Sequence, residues 1–383
     1  VGGKRLAGGS ETLRIEPGFA KELTIEFTSP EVKERTPAKL VLEVTQEGAE
    51  PFREAKEYTF FPRIKSIALK RPVFLYGANP AFARELAVLG VKTVPIRKTA
   101  EARPGGILIV APDSLKAGQS IEAFIAYAKA GGRVLMLEQH NPPVGMSFGM
   151  PLILAMDQNH RIYGANFNFP LAVDTPLLKD LGEKDLSNWA GDAPTTRNVW
   201  GRPAAGNVRS WIACGPGLSG TSLLEIPYGS GLIIATQMRV GGKLAIEPAA
   251  QILLRNMLVR CDSYRKPTAA VGLYAPDRPE IADFVRELGC RLVTPRTLAQ
   301  ALDAKTAPIL IVGASKRTLT ALCANKTAVD RYLASGGWIM LWGLEPDGLA
   351  AYNSLLGTEH ILREFRTEAV RLVKDPVTAG LSS

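Results

Sequence analysis

Between Glu11 and Arg63, apolar and polar residues alternate in short runs: Leu13 and Ile15, then Leu23, Ile25 and Phe27, then Leu40, Leu42 and Val44, then Tyr58 and Phe60. A period of two puts alternate side chains on opposite faces of a strand, so several short strands are expected, separated by Pro17-Gly18, Ser29-Pro30 and Glu47-Gly48. This spacing predicts the end of a β-sandwich. A segment of about 60 residues is short for a complete one, and the remaining strands are expected before Val1.

After Lys70 the period changes. Val73 to Tyr76 has the continuous apolar character of a buried strand, and Pro80 to Leu89 reads as a helix closed by Gly90. Strands follow at Lys92 to Ile96 and Gly106 to Val110, then a helix at Ser120 to Ala130 ended by Gly131-Gly132, then a strand at Arg133 to Glu138. Strands buried on both faces and alternating with helices imply a parallel sheet covered on both sides.

The same order returns further along the chain with many of the same residues. Phe74-Leu75-Tyr76 before Pro80 to Gly90 is answered by Gly272-Leu273-Tyr274 before Pro279 to Gly289. Ile107-Leu108-Ile109-Val110 is answered by Ile309-Leu310-Ile311-Val312. Tyr127-Ala128-Lys129-Ala130-Gly131-Gly132 is answered by Tyr332-Leu333-Ala334-Ser335-Gly336-Gly337, and Asp174-Thr175-Pro176 by Lys374-Asp375-Pro376. An offset of about 200 residues has the size of a domain, not of a solenoid repeat. The expected organisation is residues 1–66 as the C-terminal part of a β-sandwich, 67–262 as a first α/β domain, and 263–383 as a second copy of it. The first copy continues through a strand at Leu232 to Thr236 and a helix from Pro248 to Leu258. The second copy is therefore expected to be truncated, with roughly 80 residues missing.

Composition narrows the function. A chain of 383 residues with 46% hydrophobic and 22% charged residues is that of a folded protein, and its longest apolar runs are far short of the roughly 20 residues that span a bilayer. No membrane partner is expected. The chain opens on Val1 without a methionine or a signal-peptide pattern, so its native start is expected upstream. The net charge of +9 is spread thinly, with no basic run interleaved with aromatics, and nucleic acid is not an expected partner. The four cysteines have no CxxC spacing and there are three histidines, so neither a metal site nor a cofactor is expected. Cys290 and Cys323 read as small buried apolar side chains.

The candidate chemistry lies at strand ends. Arg133 to Leu137 runs into Glu138-Gln139-His140-Asn141-Pro142-Pro143, Trp338 to Trp342 into Gly343-Leu344-Glu345-Pro346, and Leu232 to Thr236 into Gln237-Met238-Arg239. The modules resemble the class I glutamine amidotransferase-like fold, a flavodoxin-like doubly wound sheet. In its active members a cysteine sits on a sharp turn after a central strand, and a His-x-Glu pair follows a later strand. None of the three strand ends carries these groups, so catalysis by that triad is not expected. Glu138 and His140 could form an acid/base pair at the sheet rim, or be structural, since alternating side chains point apart. Glu345 could be a rim acid, or could favour a helix dipole at the start of a helix. Gly215 to Gly220 lacks the P-loop lysine and reads as a plain loop. Trp189, Trp200 and Trp211 lie in a stretch read as irregular, from Leu186 to Ile212, and could stack on sugar rings or be packed in a core.

Several longer phrases carry a second resemblance: Gly132 to Gln139, Asp185 to Asp192, Tyr228 to Ile234, Pro248 to Asn256 and Asp375 to Leu381. In these the chain resembles the downstream part of large bacterial β-galactosidase-like glycoside hydrolases, family 2-like members included, where amidotransferase-like domains follow a β-sandwich. The resemblance implies an accessory role in carbohydrate degradation, with a catalytic (β/α)8 barrel of the same polypeptide as partner and a parent protein secreted or periplasmic in a bacterium. It also implies a homo-oligomeric assembly. The alternatives are a hydrolase with a carboxylate site of its own and a carbohydrate-binding module, with carbohydrate as partner.

Overall fold

The structure is a computed structural model that describes residues 5–77, 79–116, 119–139, 152–154, 167–172, 175–191, 194–196, 198–203, 207–266, 270–287 and 290–363. The chain divides into two units, the first holding residues up to Pro203 with Arg209–Tyr264, the second chiefly the residues from Arg265 onward.

The first unit begins with strands β1 (Thr36–Val44) and β2 (Phe52–Phe60), an antiparallel hairpin in which Val44 faces Phe52. Arg35 is bound to Asp185 at 2.7 and 3.0 Å, and Lys184 reaches Glu57 at 2.9 Å. The strands expected at Leu13–Ile15 and Leu23–Phe27 are not formed, and Leu23, Ile25 and Phe27 are exposed. Alternation makes a strand only when one face is covered, and two strands alone bury too little to recruit more.

The α/β core follows: β3 (Val73–Tyr76), α1 (Pro80–Val88), β4 (Thr93–Ile96), β5 (Ile107–Val110), α2 (Glu122–Lys129) and β6 (Arg133–Met136). Asn79 accepts from the Phe82 amide to cap α1, and Gly90 at φ 75° closes its far end. Next come β7 (Leu152–Leu154), β8 (Asn168–Pro170), β9 (Asn198–Gly201), β10 (Arg209–Cys214), β11 (Gly220–Tyr228), β12 (Gly231–Thr236), the short α3 (Val240–Lys243) and α4 (Pro248–Ser263). Strands β4-β3-β5-β6-β12 are parallel neighbours, and β11, β10 and β8 extend the sheet antiparallel. Alternation sorts the strands onto two faces. Val73, Leu75, Ile107, Ile109, Leu135 and Leu137 join α1 and α4 in one core, while Tyr76 meets Phe124 of α2 edge-on at 5.1 Å on the other.

The second unit contains β13 (Ala270–Tyr274), α5 (Glu280–Glu287), β14 (Arg291–Val293), α6 (Leu298–Ala301), β15 (Ile309–Gly313), α7 (Lys316–Ala324), α8 (Lys326–Ala334), β16 (Trp338–Trp342) and α9 (Leu349–Leu356). Its sheet is parallel, with order β14-β13-β15-β16, matching β4-β3-β5-β6. The register matches too: Ile107 pairs with Arg133, and Ile309 with Trp338. The repeated Tyr-x-x-x-Gly-Gly phrase has one physical basis in both units. The first glycine takes φ 97° or 88° to end α2 or α8, and a Cβ on the second would overlap the ring of Tyr127 or Tyr332. Each tyrosine hydroxyl then donates to a backbone carbonyl, Arg103 at 2.8 Å or Ala307 at 2.7 Å.

Candidate functional site

The carboxyl ends of the parallel strands in the first unit converge on Glu138. The chain leaves β6 through Leu137 into Glu138, whose side chain is 8% exposed. The Gly242 amide donates to its Oε1 at 2.8 Å and the Gly241 amide to its Oε2 at 3.2 Å. Both amides belong to α3, the turn that follows β12, and Lys243 fixes that turn by donating from Nζ to the Ala190 carbonyl at 2.5 Å. The Asp113 amide donates to the Glu138 carbonyl at 3.0 Å, and Asp113 holds φ 52° to do so. Burial pushes the Glu138 carboxyl up to about 7; the glycine amides oppose the shift and the Asp113 charge adds to it.

Gln139 is sewn in beside it. Its Nε2 donates to the carbonyls of Ala111 and Leu137, its Oε1 accepts from the Leu115 amide, and its own amide donates to Oε1 of Gln237. Asn198 donates from Nδ2 to the Gln139 carbonyl at 3.1 Å. The strand ends of β5, β6 and β12 are therefore cross-tied through side-chain amides and one carboxylate. Glu138 spends both oxygens on backbone donors, which fits a clamp holding α3 against β6.

The other expected residues lie apart from this group. His140 is outside the described residues. Glu345 is exposed in the second unit, makes no side-chain cap, and pairs at 3.1 Å with Arg278, which also holds Glu280 at 2.8 Å. Trp189, Trp200 and Trp211 are 2%, 0% and 4% exposed. The stretch read as irregular contains β9 and much of β10, which carry Trp200 and Trp211 into the sheet core, and Trp189 donates from Nε1 to the Asp185 carbonyl at 2.9 Å. No face of these rings is open to a sugar. Gly215–Gly220 joins β10 to β11 through a tight turn with Gly217 at φ 61°. Cys290 is exposed, contrary to expectation, and Cys323 is half-buried. Sequence reasoning missed Asp113 and the Gly241-Gly242 pair; a Gly-Gly step directly after a buried strand was the available signal. Among the described residues no cluster of three His, Cys, Asp or Glu side chains could hold a metal ion. A cavity of about 660 Å³ in the first unit is lined by Pro170, Thr175, Leu178, Asp180, Leu181 and Leu186 among others, and includes none of the strand-end residues.

Fold and site thus define a mixed α/β protein whose parallel sheets end, in the first unit, on a buried carboxylate bound by backbone amides. No protein-family model and no curated protein matches the chain. Among solved structures, a cytoplasmic protein of Salmonella typhimurium is similar at 13% identity over 60% of this chain and 97% of its own, with a TM-score of 0.32. The exo-β-1,4-mannosidase Op5Man5 of Opitutaceae bacterium strain TAV5 is similar at 13% identity over 51% of this chain and 37% of its own, with a TM-score of 0.31. A β-galactosidase from Rahnella sp. R3 follows at 11% identity over 50% and 31%, also at 0.31. Likenesses of this size carry neither a fold family nor an activity to this chain.

Proposed function

We propose that this chain is a non-catalytic accessory region of a β-galactosidase-like glycoside hydrolase, built from two flavodoxin-like, class I glutamine amidotransferase-like modules in tandem. Its role is to join a catalytic barrel to the rest of the polypeptide and to support oligomeric assembly. The observation that carries the reading is the use of Glu138. At the strand end where an amidotransferase places its nucleophile stands a carboxylate whose two oxygens already accept the amides of Gly241 and Gly242. The strand order 2-1-3-4-5 of β4-β3-β5-β6-β12 supports the flavodoxin-like assignment. The sugar-related parent rests on the phrases from Gly132 to Gln139 and Pro248 to Asn256.

A carboxyl near 7 is also what a general acid needs, and this favours a hydrolase acting through Glu138 as the second reading. Incubating the purified chain with p-nitrophenyl β-galactoside separates the two. The accessory reading expects no release above the blank, together with a barrel bearing paired carboxylates in the same reading frame. Turnover that vanishes in Glu138→Gln would replace it with the second reading.

A further inference from the structure

The first unit shows what covers the sheet face whose described residues are exposed in the second. In the first, Ile107 and Leu135 are 0% exposed and Arg133 6%, because α4 lies across β5 and β6 and β12 pairs with the far edge of β6. The equivalent positions by register are Ile309, Met340 and Trp338, which are 40%, 50% and 74% exposed. They line a shallow cavity of about 220 Å³ with Ile339. On the same face α5 packs over β13 and reaches Ile311 and the far end of β16, where Phe284 meets Trp342 edge-on at 5.2 Å.

Among the described residues no strand pairs with the outer edge of β16, and its sequence points the same way. Sheet edges that face water are usually short or carry proline or charge. The outer strand β4 contains Pro95 and is flanked by Lys92 and Arg97, and β14 is three residues long and begins with Arg291. The sequence of β16, Trp-Ile-Met-Leu-Trp between glycines, has none of these devices. It is the sequence of an interior strand.

We propose that the β16 edge and the Ile309–Trp338–Met340 face are the docking site for a parallel strand followed by an amphipathic helix, equivalent to β12 and α4, supplied by the continuation of this same polypeptide. The register of the first unit sets the geometry: Leu232 pairs with Arg133 and Ala235 with Met136, so the incoming strand starts beside Trp338 and ends near Leu341. The helix then lies over Trp338 and Met340, as α4 lies over β6. This rests on the internal repeat and not on the accessory role, which the glycosidase assay tests separately.

The test compares the 383-residue chain with one extended in its own reading frame by about 90 residues, the distance at which α4 closes in the first unit. Acrylamide quenching of tryptophan emission reads Trp338, assigned by difference against Trp338→Phe, because Trp189, Trp200 and Trp211 are buried and the half-buried Trp342 is common to both proteins. The Trp338 component is expected to be strongly quenched in the shorter chain and about fivefold less so in the extended one. Trp338→Lys is expected to leave the shorter chain unchanged in urea unfolding and to destabilise the extended one. A stop codon directly after Ser383, or unaltered quenching in the extended chain, overturns the proposal. Concentration-dependent protection of Trp338 in the shorter chain, with a dimer in sedimentation, would assign the face to a second copy and overturn it too.

Discussion

Glu138→Gln distinguishes a structural carboxylate from a catalytic one. The carboxyl titrates near 7 and not at its ordinary 4.5 because burial strips its water, and that difference is worth about 3 kcal/mol at ~1.4 kcal/mol per pH unit. Below pH 4.5 the group is protonated in both folded and unfolded chains, and ionisation costs the fold nothing. Between 4.5 and 7 the unfolded chain ionises first and draws the equilibrium toward itself. Above about 7 both states are ionised, and the full stabilisation of the protonated form has been lost. Glutamine escapes this titration but presents a donor-only NH2 where the carboxyl, ionised or protonated, presents a second oxygen. One of the two glycine amides then lacks its partner, at about 1–3 kcal/mol at any pH.

Urea unfolding of both proteins at pH 5 and pH 8, followed by tryptophan emission, reads the difference. Glu138→Gln is expected to be less stable than the parent at pH 5 and to gain about 2–3 kcal/mol relative to it by pH 8. A difference unchanged between the two pH values would refute the reasoning, because it would mean that Glu138 ionises alike in the folded and unfolded chain. A relative loss at pH 8 would mean that the two amides outweigh burial and hold the group as an ordinary carboxylate.

Three further outcomes are expected. Arg260→Leu strips the partner from Glu225, whose side chain is 2% exposed and held at 2.6 and 3.1 Å, and should cost about 3–5 kcal/mol in urea unfolding; the double variant Glu225→Leu with Arg260→Leu should recover most of it. Gly132→Ala and Gly337→Ala each force a methyl into a tyrosine ring and should each cost about 1–3 kcal/mol in thermal unfolding, relieved when Tyr127→Leu or Tyr332→Leu is added. At pH 8 a disulfide reagent should label Cys290 rapidly, while Cys214 and Cys261, both buried, with the Cys214 thiol pushed up to about 12, react only on unfolding; fast labelling of either would contradict the packing.

The parallel core was legible in the sequence because strands buried on both faces leave an unbroken apolar run such as Ile107-Leu108-Ile109-Val110, and glycines mark where helices stop. The antiparallel extension was not. β9, β10 and β11 carry the buried polar residues Asn198, Ser210, Thr221 and Ser222, satisfied by one another, by Asn168 of β8 and by backbone, as in the 2.6 Å bond between Ser210 and Thr221. Polar residues buried in pairs erase the periodicity that marks a strand, and so the tryptophans among them read as loop aromatics. The N-terminal segment failed in the opposite sense: a clear alternation at Leu23, Ile25 and Phe27 with no facing layer to make it a strand. Glu138 was visible as a residue, but its use was not, because Gly241 and Gly242 arrive about a hundred positions later.

The two units can also be compared position by position. Their strand order, register, glycine stops and tyrosine-to-carbonyl bonds coincide, so the packing of the inner sheet tolerates little variation. At the strand ends they diverge. By register Glu138 corresponds to Gly343 and Gln139 to Leu344, and the carboxylate clamp of the first unit has no counterpart in the second. A reaction shared by both copies would need the same groups at the same rim, since general acids and nucleophiles act only within hydrogen-bond reach of the reacting atom. The groups that coincide are those that fix the scaffold. The exposed Ile309–Trp338–Met340 face belongs to the same comparison, since at the equivalent positions of the first unit β12 and α4 cover the sheet.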